Sequence, residues 1–581
     1  MPTEGSLRPI LFLIPARAGS VRLPRKNLEL VDGIPLVGRA ARRARRAAAH
    51  VPGGPHAVVC STDSEAIAEV AHDWGAAVPF LRPAELSDAS ATSADVAIHA
   101  LGQLGGDGDP ERFRAVVLVQ PTSALATWHS LVKAIEAFDR TGRPVTTVHP
   151  THPGGWHVEG REALARVDVD DAARVLDGAA YVVAPADLER TGTFTPDGAL
   201  AIEIDPFEGI DVDTSADLEI ARAASSGRLV APIEVGGRSI GPGRPCFVIA
   251  EAGINHNGDL ALAHRLVDAA ADAGADAVKF QTFSAARLAA AQAPLAAYQQ
   301  AAGSSDQHEL LSRLELSADD HVELQSHAAD RNIAFLSSPF DEESADLLER
   351  LDVPAFKVPS GELTNGPYLA HLAGKGRPML VSTGMATMVE VAEAVDAIAD
   401  AGDPPLALFH CVSSYPAAAE DANLRAIATL RRAFGTPTGW SDHTPGVDIA
   451  LAAVAIGADL VEKHMTLDRT LPGPDHRASL EPSELAALVH GIRGVEAALG
   501  SGRKEPVAAE RETADVSRKS LHWARDLPSG ASVGADDLVA LRPGTGIAPS
   551  RRDGVIGARL SRNVRAGSVV QLDDIEPKVP A

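Results

Sequence analysis

The sequence predicts an α/β protein in three parts: a Rossmann-like open sheet, a (β/α)8 barrel and a small C-terminal domain. Three observations lead there. A length of 581 residues exceeds what a single hydrophobic core supports, so two or three domains are expected. Two composition breaks interrupt the chain: the Gly-, Pro- and Ser-rich "RAASSGRLVAPIEVGGRSIGPGRP" starting at Arg222, and the charged "GSGRKEPVAAERETADVSRK" at 500–519. Elsewhere short apolar runs alternate with Ala-rich amphipathic stretches, the pattern of parallel strands joined by crossover helices. The expected domains are 1–225, 238–500 and 515–581, with linkers at 226–237 and 501–514.

A formal charge of -25 argues against nucleic-acid or anionic-membrane partners while leaving room for small anions in local basic pockets. The basic run "RAARRARR" at 39–46 has helical spacing and is expected to be a solvated face. Cys60, Cys246 and Cys411 lie far apart, so neither a disulfide framework nor a zinc site is expected. "MPTEGSLRP" lacks an apolar leader core and no long apolar stretch follows, which makes the cytoplasm the default compartment.

In the first part, "PILFLIPA", "HAVVCST" and "RAVVLVQ" read as strands, and ligands are expected at their carboxyl ends. The first of them runs into "IPARAGSVRLPRKN", which supplies Arg17, Gly19, Ser20, Arg25, Lys26 and Asn27. A glycine-containing turn with several cations can wrap a triphosphate, and a basic surface turn is the plain alternative. "EGIDVDT" places Asp211 and Asp213 two apart; on a strand both carboxylates share a face and could hold Mg²⁺. Acidic strand ends are also common without any metal.

In the middle part eight runs count as strands: "CFVIAEAG", "DAVKFQTF", "IAFLSSPF", "AFKVPSGE", "PMLVSTGM", "LALFHCVSSYP", "TGWSDHT" and "LVEKHMT". Eight βα units in about 250 residues is the size of a TIM barrel. Each run starts apolar and ends polar. That puts Glu251, Lys279, Gln281, Ser338, Lys357, Ser360 and Glu362 near one rim, with Ser382, Ser413, Tyr415, Ser441, His443, Glu462 and His464. Structural Lys–Glu pairing would explain one such residue; polar ends on every strand indicate a site, because unpaired buried charge is costly. His443 and His464 end neighbouring strands beside Glu462 and Asp475, which suits a divalent metal with open positions. Two lysines and several hydroxyls imply an anionic substrate, and a metal beside them can polarise a carbonyl. Carbon–carbon bond formation between a phosphorylated acid and an aldehyde fits both.

"FVIAEAGINHNGDLALAHRLVDAAADAGADAVKFQTF", "FLSSPF", "FKVPSGELTN", "VSTGM", "HCVSSYP" and "GWSDHT" resemble the sialic acid synthase family, which condenses phosphoenolpyruvate with an N-acylmannosamine. The resemblance implies that Lys279, Lys357, Ser382, Ser413 and Ser441 hold phosphoenolpyruvate with Ser338 nearby, and that His443 and His464 bind Mn²⁺ or Mg²⁺. Glu251, Gln281, Tyr415 and Asp475 would face the amino sugar; Glu251 and Lys279 would belong to the catalytic set, and Glu362 would move a proton. The tail "SLHWARDLPSGASVGADDLVALRPGTGI" resembles the family's antifreeze-like (SAF) domain. It implies a homodimer in which that domain caps the partner's barrel and Arg542 reaches the sugar's acyl group; an independent surface-binding module is the rival.

The first part, through its glycine loop, "CSTDSEAIAEVA", "RPAELSDASATSADVAIHAL", "QPTSALAT" and "EGIDVDT", resembles the cytidylyltransferases that make CMP-sialic acids. It implies that Arg17, Ser20, Lys26 and Asn27 meet the triphosphate of CTP, with Lys26 catalytic. Arg82, Ser93 and Gln120 would meet nucleotide or sugar, and Asp211 and Asp213 would bind Mg²⁺. The chain departs from that family's pattern at Val21, Ala124 and Ala126, and in "DGAAY" at 177–181. The two resemblances concern consecutive steps, so the expectation is a bifunctional enzyme that makes a nonulosonic acid and activates it with CTP. The alternatives are a synthase whose first domain only binds a nucleotide or sugar, and a barrel acting on a sugar phosphate.

Overall fold

The computed structural model describes residues 7–20, 22–88, 90–105, 112–150, 156–159, 163–166, 174–227, 230–290, 293 and 306–576. Val21 lies outside them. In the first domain, strands β1 (Ile10–Pro15), β2 (Ala57–Ser61), β3 (Ala115–Leu118), β4 (Val145–Pro150), β5 (Arg174–Val183) and β6 (Leu200–Glu203) form one sheet in the order β6-β4-β5-β3-β1-β2. β1 runs parallel to β2 and β3, as expected, whereas β5 runs antiparallel to both β3 and β4. The described part of the β4–β5 connection is a small hairpin pairing Trp156–Glu159 with Ala163–Arg166. An antiparallel pair does not need the long crossover that a parallel pair requires.

Helix α1 (Leu36–His50) packs Val37, Ala40, Ala41, Ala44 and Ala47 under this sheet. Its arginines overturn the expected solvated face. Arg42 forms a bidentate pair with Asp396 (3.1 and 2.7 Å), Arg45 approaches Glu393 at 3.3 Å, and Arg46 meets Asp400 at 2.6 Å. These acids lie on helix α2 (Met388–Ala401) of the barrel domain, where the spacing of 393, 396 and 400 presents them on one face. Ala392 of α2 belongs to the same buried cluster as α1, and Phe434 of helix α3 (Arg425–Phe434) packs against it. The hairpin of Leu30–Val31 with Ile34–Pro35 turns at Gly33, whose φ of 75° and closeness to Thr429 Cγ2, 2.6 Å from where a Cβ would sit, leave room for no side chain.

The segment expected to be a linker ends in structure. Strands β7 (Ile233–Val235) and β8 (Arg238–Ile240) form an antiparallel hairpin. Ile233, Val235 and Ile240 are buried in one cluster with Phe247, Ile249, Ala277, Leu336, Leu380, Phe409 and Leu460, so the hairpin plugs the amino-terminal end of the barrel. Arg238 pairs with Asp276 beside it.

The barrel closes through β9 (Phe247–Gly253), β10 (Ala277–Thr282), β11 (Ala334–Pro339), β12 (Phe356–Val358), β13 (Met379–Ser382), β14 (Leu406–Cys411), β15 (Thr438–Asp442) and β16 (Leu460–His464), with β9 parallel to both β10 and β16. All eight expected strands are present. Val248, Ala250, Val278, Phe280 and Phe335 pack outward against the helices. The alternate positions Phe247 and Ile249 point inward with the plug, and the next step along the same face is Glu251. By the same two-residue step Ala277 leads to Lys279, Leu380 to Ser382 and Leu460 to Glu462.

Residues 1–498 and 499–581 are separate compact units. The second has its own core of Leu521, Trp523, Leu527, Val533, Leu538, Leu560 and Val570, around β17 (Ser520–Trp523) paired antiparallel with β18 (Leu538–Leu541). Trp523 Nε1 donates to the buried Asp574 carboxylate at 3.2 Å. Among the described residues no helix is long and apolar enough to cross a membrane.

Candidate active sites

The polar strand ends of the barrel meet in a closed network. Lys279 Nζ lies 2.7 Å from Glu251 and donates to Ser338 Oγ at 3.0 Å, with Glu462 at 3.7 Å. Lys357 Nζ donates to Ser382 Oγ at 2.7 Å and lies 3.5 Å from Glu462, which accepts from Ser441 Oγ at 2.9 Å. Gln281 Nε2 donates to Glu251 at 3.3 Å. Glu251, Lys279, Lys357 and Glu462 are all buried, so two ammonium groups and two carboxylates sit together with little water to screen them.

The carboxylates are driven apart by their surroundings. Burial pushes Glu251 up, and Lys279 only partly offsets it while Glu462 adds to it. Burial would push Glu462 up as well, but Lys279 and Lys357 together overcome it and hold that carboxyl well below the usual range. For Lys357 burial prevails and lowers the ammonium; for Lys279 burial is outweighed by Glu251 and Glu462, which raise it. One carboxyl near neutrality beside a fixed carboxylate is an arrangement suited to moving a proton.

Gly384, just beyond β13, shapes the neighbouring wall. A Cβ there would lie 2.3 Å from Ser413 Oγ and 2.8 Å from both Cys411 Sγ and Ser360 Oγ, and the Gly384 N–H donates to Ser360 Oγ at 3.0 Å. A cavity of about 830 Å³ is lined by Tyr415, His443, His464, Asp475 and residues of the 469–478 loop.

His443 Nδ1 lies 2.7 Å from the Val412 carbonyl, so it carries the proton and leaves Nε2 with its lone pair free. Burial lowers the His443 and His464 imidazoles, the latter well below its ordinary value with His443 and Lys279 adding to the effect. Both rings are therefore neutral donors, their centroids 5.4 Å apart. His464 Nδ1 is buried without a hydrogen-bond partner, 3.8 Å from Asp475, whose carboxyl burial raises to about 6 against a smaller pull from Lys279. Among the described residues no group of three or more His, Cys, Asp or Glu side chains could hold a metal ion. Two imidazoles with an orphaned buried nitrogen fit a divalent ion that takes its remaining ligands from substrate or water.

The structure thus brings together Glu251, Lys279, Gln281, Ser338, Lys357, Ser382, Ser441 and Glu462, with Ser413, Tyr415, His443, His464 and Asp475 around the mouth. Glu362 stands apart from the cluster on the rim, its carboxylate accepting from Asn365 at 2.9 Å. Arg542 is an exposed residue of the C-terminal unit. Glu462 stood in the sequence reading without a role of its own, although the alternation Leu460, Glu462, His464 aims it inward. Cys411 was passed over because a cysteine ending an apolar run reads as core.

In the first domain the glycine loop is held by Asn27 Nδ2 donating to the Arg17 carbonyl at 2.9 Å and Asp63 accepting from the Ala18 N–H at 2.7 Å. Arg17 donates to the Asp88 carbonyl. Lys26 pairs with Asp213 at 2.8 Å and Arg22 joins at 3.1 Å. Arg82 is buried with its Nε donating to Ser61 Oγ at 3.1 Å, Ser93 opens a helix capped by Thr92, and Ser20 lies on the loop. Gln120 Oε1 is 2.7 Å from where a Cβ on Gly178 would sit, which accounts for the glycine of "DGAAY". Asp211 bridges Ser123 as an isolated pair rather than on a strand shared with Asp213. No regular strand runs through 211–213, yet the carboxylates are close enough to interact: burial raises Asp211, a Thr122 hydrogen bond opposes it and Asp213 adds to it.

Family models match at three places: the NeuB family over residues 266–504, a cytidylyltransferase over 11–172, and a SAF domain over 518–576. The N,N'-diacetyllegionaminic acid synthase of Legionella pneumophila is 48% identical over 342 residues, spanning 58% of this chain and 96% of the Legionella protein. The chain belongs to the NeuB family. The NeuB-type barrel is preceded by a cytidylyltransferase domain and followed by a SAF domain. The mouse N-acetylneuraminate-9-phosphate synthase is 40% identical over 309 residues, 52% of this chain and 84% of its own. A solved structure, the N-acetylneuraminic acid synthetase of Leptospira borgpetersenii in complex with citrate, shares 38% identity with a TM-score of 0.45, covering 49% of this chain and 96% of that one.

Proposed function

We propose that the barrel condenses phosphoenolpyruvate with an N-acylated mannosamine-type aldose to a nine-carbon 2-keto acid and phosphate, and that the first domain then joins this acid to CTP with release of pyrophosphate. The observation that carries the reading is the buried Lys279–Glu251–Glu462–Lys357 cluster beneath a neutral histidine pair. Lys279 and Lys357, with Ser338, Ser382, Ser413 and Ser441, offer charge and hydroxyls to a small dianion. Gln281, Tyr415 and Asp475 would meet the sugar. His443 and His464 would hold Mn²⁺ or Mg²⁺, which when bound polarises the aldehyde oxygen. The enol carbon then attacks the aldehyde carbon, water adds to the resulting cation at C2, and phosphate departs as the keto group forms. Glu251, raised toward neutrality, is suited to exchange a proton during these steps, with Glu362 a second candidate on the rim. The 48% identity to a protein named for N,N'-diacetyllegionaminic acid favours a diacetamido aldose over N-acetylmannosamine.

In the first domain Arg17, Ser20, Lys26 and Asn27 would line the triphosphate of CTP, Arg82, Ser93 and Gln120 the nucleotide or sugar, and Asp211 with Asp213 would hold Mg²⁺. Lys26 and Asp213 pair with each other here, so binding exchanges that contact for phosphate and metal. The same pair favours, as second reading, a first domain that binds without catalysis. Mass spectrometry on phosphoenolpyruvate with a panel of aldoses, with and without CTP, tests all of this. Phosphate, a nine-carbon acid and then a CMP-sugar are expected, with chelation stopping the first step and Mn²⁺ restoring it. An acid that never becomes a CMP-sugar leaves the second reading; phosphate release that survives chelation in His464→Ala removes the metal assignment. We also propose a homodimer in which the SAF domain caps the partner's barrel and Arg542 meets the acyl group.

A further inference from the structure

Helix α1 carries arginines on two faces. Arg39 and Arg43, one turn apart, reach into the first domain: Arg43 donates to the Ser123 carbonyl at 2.6 Å and the Gln120 carbonyl at 2.9 Å, and Arg39 to the Ala124 carbonyl at 3.2 Å. The loop they hold pairs through Ser123 with Asp211, and its Thr122 carbonyl accepts from the Val212 N–H at 2.9 Å. Arg42, Arg45 and Arg46 reach the other way, and all three meet Asp396 of α2, at 2.7, 3.3 and 3.3 Å. Asp396 is only 6% exposed, and the apolar cluster beneath is continuous from α1 to Ala392. A buried carboxylate among three guanidiniums is not a screened surface contact. Removing its charge takes the bidentate partner from Arg42 and leaves Arg45 and Arg46 to the more exposed Glu393 and Asp400.

We propose that α1 is a strut through which the barrel domain holds the Gln120–Ala126 loop in place, making Asp396 a positioning residue for the chemistry of the first domain. The inference rests on the nucleotidyl-transfer reading above. If the three guanidiniums lose their common partner, α1 shifts, and Arg43 carries the loop carbonyls with it. Displacement of substrate-positioning groups on the ångström scale costs roughly ten- to a hundredfold in rate. The barrel reaction should keep its rate, since Glu251, Lys279, Lys357 and Glu462 are carried on strands β9, β10, β12 and β16.

The test compares Asp396→Asn with Asp396→Glu in the full chain. Pyrophosphate release is measured with CTP and a supplied nonulosonic acid, phosphate release with phosphoenolpyruvate and aldose, and hydrogen exchange across 120–126. Asp396→Asn should lower kcat for pyrophosphate release about tenfold, keep phosphate release within about twofold and speed exchange in the loop; Asp396→Glu, which keeps the charge, should recover most of the rate. Unchanged exchange and unchanged pyrophosphate release in Asp396→Asn would overturn the strut, as would equal loss of both reactions. Should the unaltered chain release no pyrophosphate, the nucleotidyl-transfer reading falls, and exchange at 120–126 alone decides whether the strut stands.

Discussion

Lys279, proposed above as a binding cation, is also a structural one, and its neighbours set the consequence of removing it. Its ammonium lies between Glu251 at 2.7 Å and Glu462 at 3.7 Å, so Lys279→Met leaves two buried carboxylates against Lys357 alone. Breaking a buried pair from one side costs roughly 3–5 kcal/mol, and a clear drop in Tm is expected together with loss of phosphoenolpyruvate binding. Adding Glu251→Gln removes the excess charge and should recover most of the Tm without recovering binding, as melts and titration with phosphoenolpyruvate will read. Recovery of binding in the double variant would mean that the lysine serves only to neutralise its glutamate. A second expectation concerns His256, which is fully buried and whose imidazole burial lowers to about 4, with His321 adding to the effect. Between that value and an unfolded value of about 6.5 the unfolded chain binds a proton that the folded chain refuses. Stability should therefore fall with falling pH across that window, by about 1.4 kcal/mol per unit for this group. His321 and His410 are shifted the same way by burial and add to the slope. Urea unfolding at pH 7, 6 and 5 measures the slope, and His256→Asn should flatten it by about one proton; an identical slope in that variant would remove His256 from the account.

At the scale of elements, the turn after β13 carries a sharp constraint. Gly384→Ala would drive a methyl into Ser413, Cys411 and Ser360. A folded protein with a raised KM for phosphoenolpyruvate and an unchanged KM for CTP is expected, checked by steady-state assays of the two reactions. Equal loss of both activities would mark the glycine as a folding requirement instead. Every barrel strand was legible in the sequence, because the inward face of each changes from apolar to polar at a fixed two-residue step and no other fold puts eight such changes at one rim. Other elements were not. The plug β7–β8 lies among Gly and Pro and reads as linker until Ile233, Val235 and Ile240 are seen to share a core with Phe247 and Leu336. The arginines of α1 look solvated because their partners at 393, 396 and 400 are far away in sequence. The reversed direction of β5 is set by its pairing with β3 and β4, which composition does not reveal. Among candidate site residues, those on strands could be placed by period, while Glu362, in the short 3-10 turn Ser360–Glu362, has no period to place it.

At the scale of the whole molecule, the C-terminal unit has its own core around Trp523 and Leu560, so removal of 515–581 should leave the barrel folded. Circular dichroism should show an unchanged melt for the remainder, with KM for the aldose raised severalfold and phosphoenolpyruvate binding retained. A truncated chain that handles the aldose normally would separate the SAF domain from sugar recognition.

The plug at the base of the barrel also decides how an intermediate can travel. Phe247, Ile249, Leu336, Leu380, Phe409 and Leu460 fill the axis together with the hairpin. On the proposed function, a nine-carbon acid made at the mouth would leave by the side on which its precursors entered, and so would mix with the surrounding pool before any activation by CTP. Joining both proposed steps in one chain would then give equal dosage rather than private transfer. With carbon-13 phosphoenolpyruvate as source and unlabelled acid added, the CMP-sugar should carry the isotope ratio of the free acid at every time point. Enrichment above that ratio would reveal a guarded surface route between the two catalytic domains.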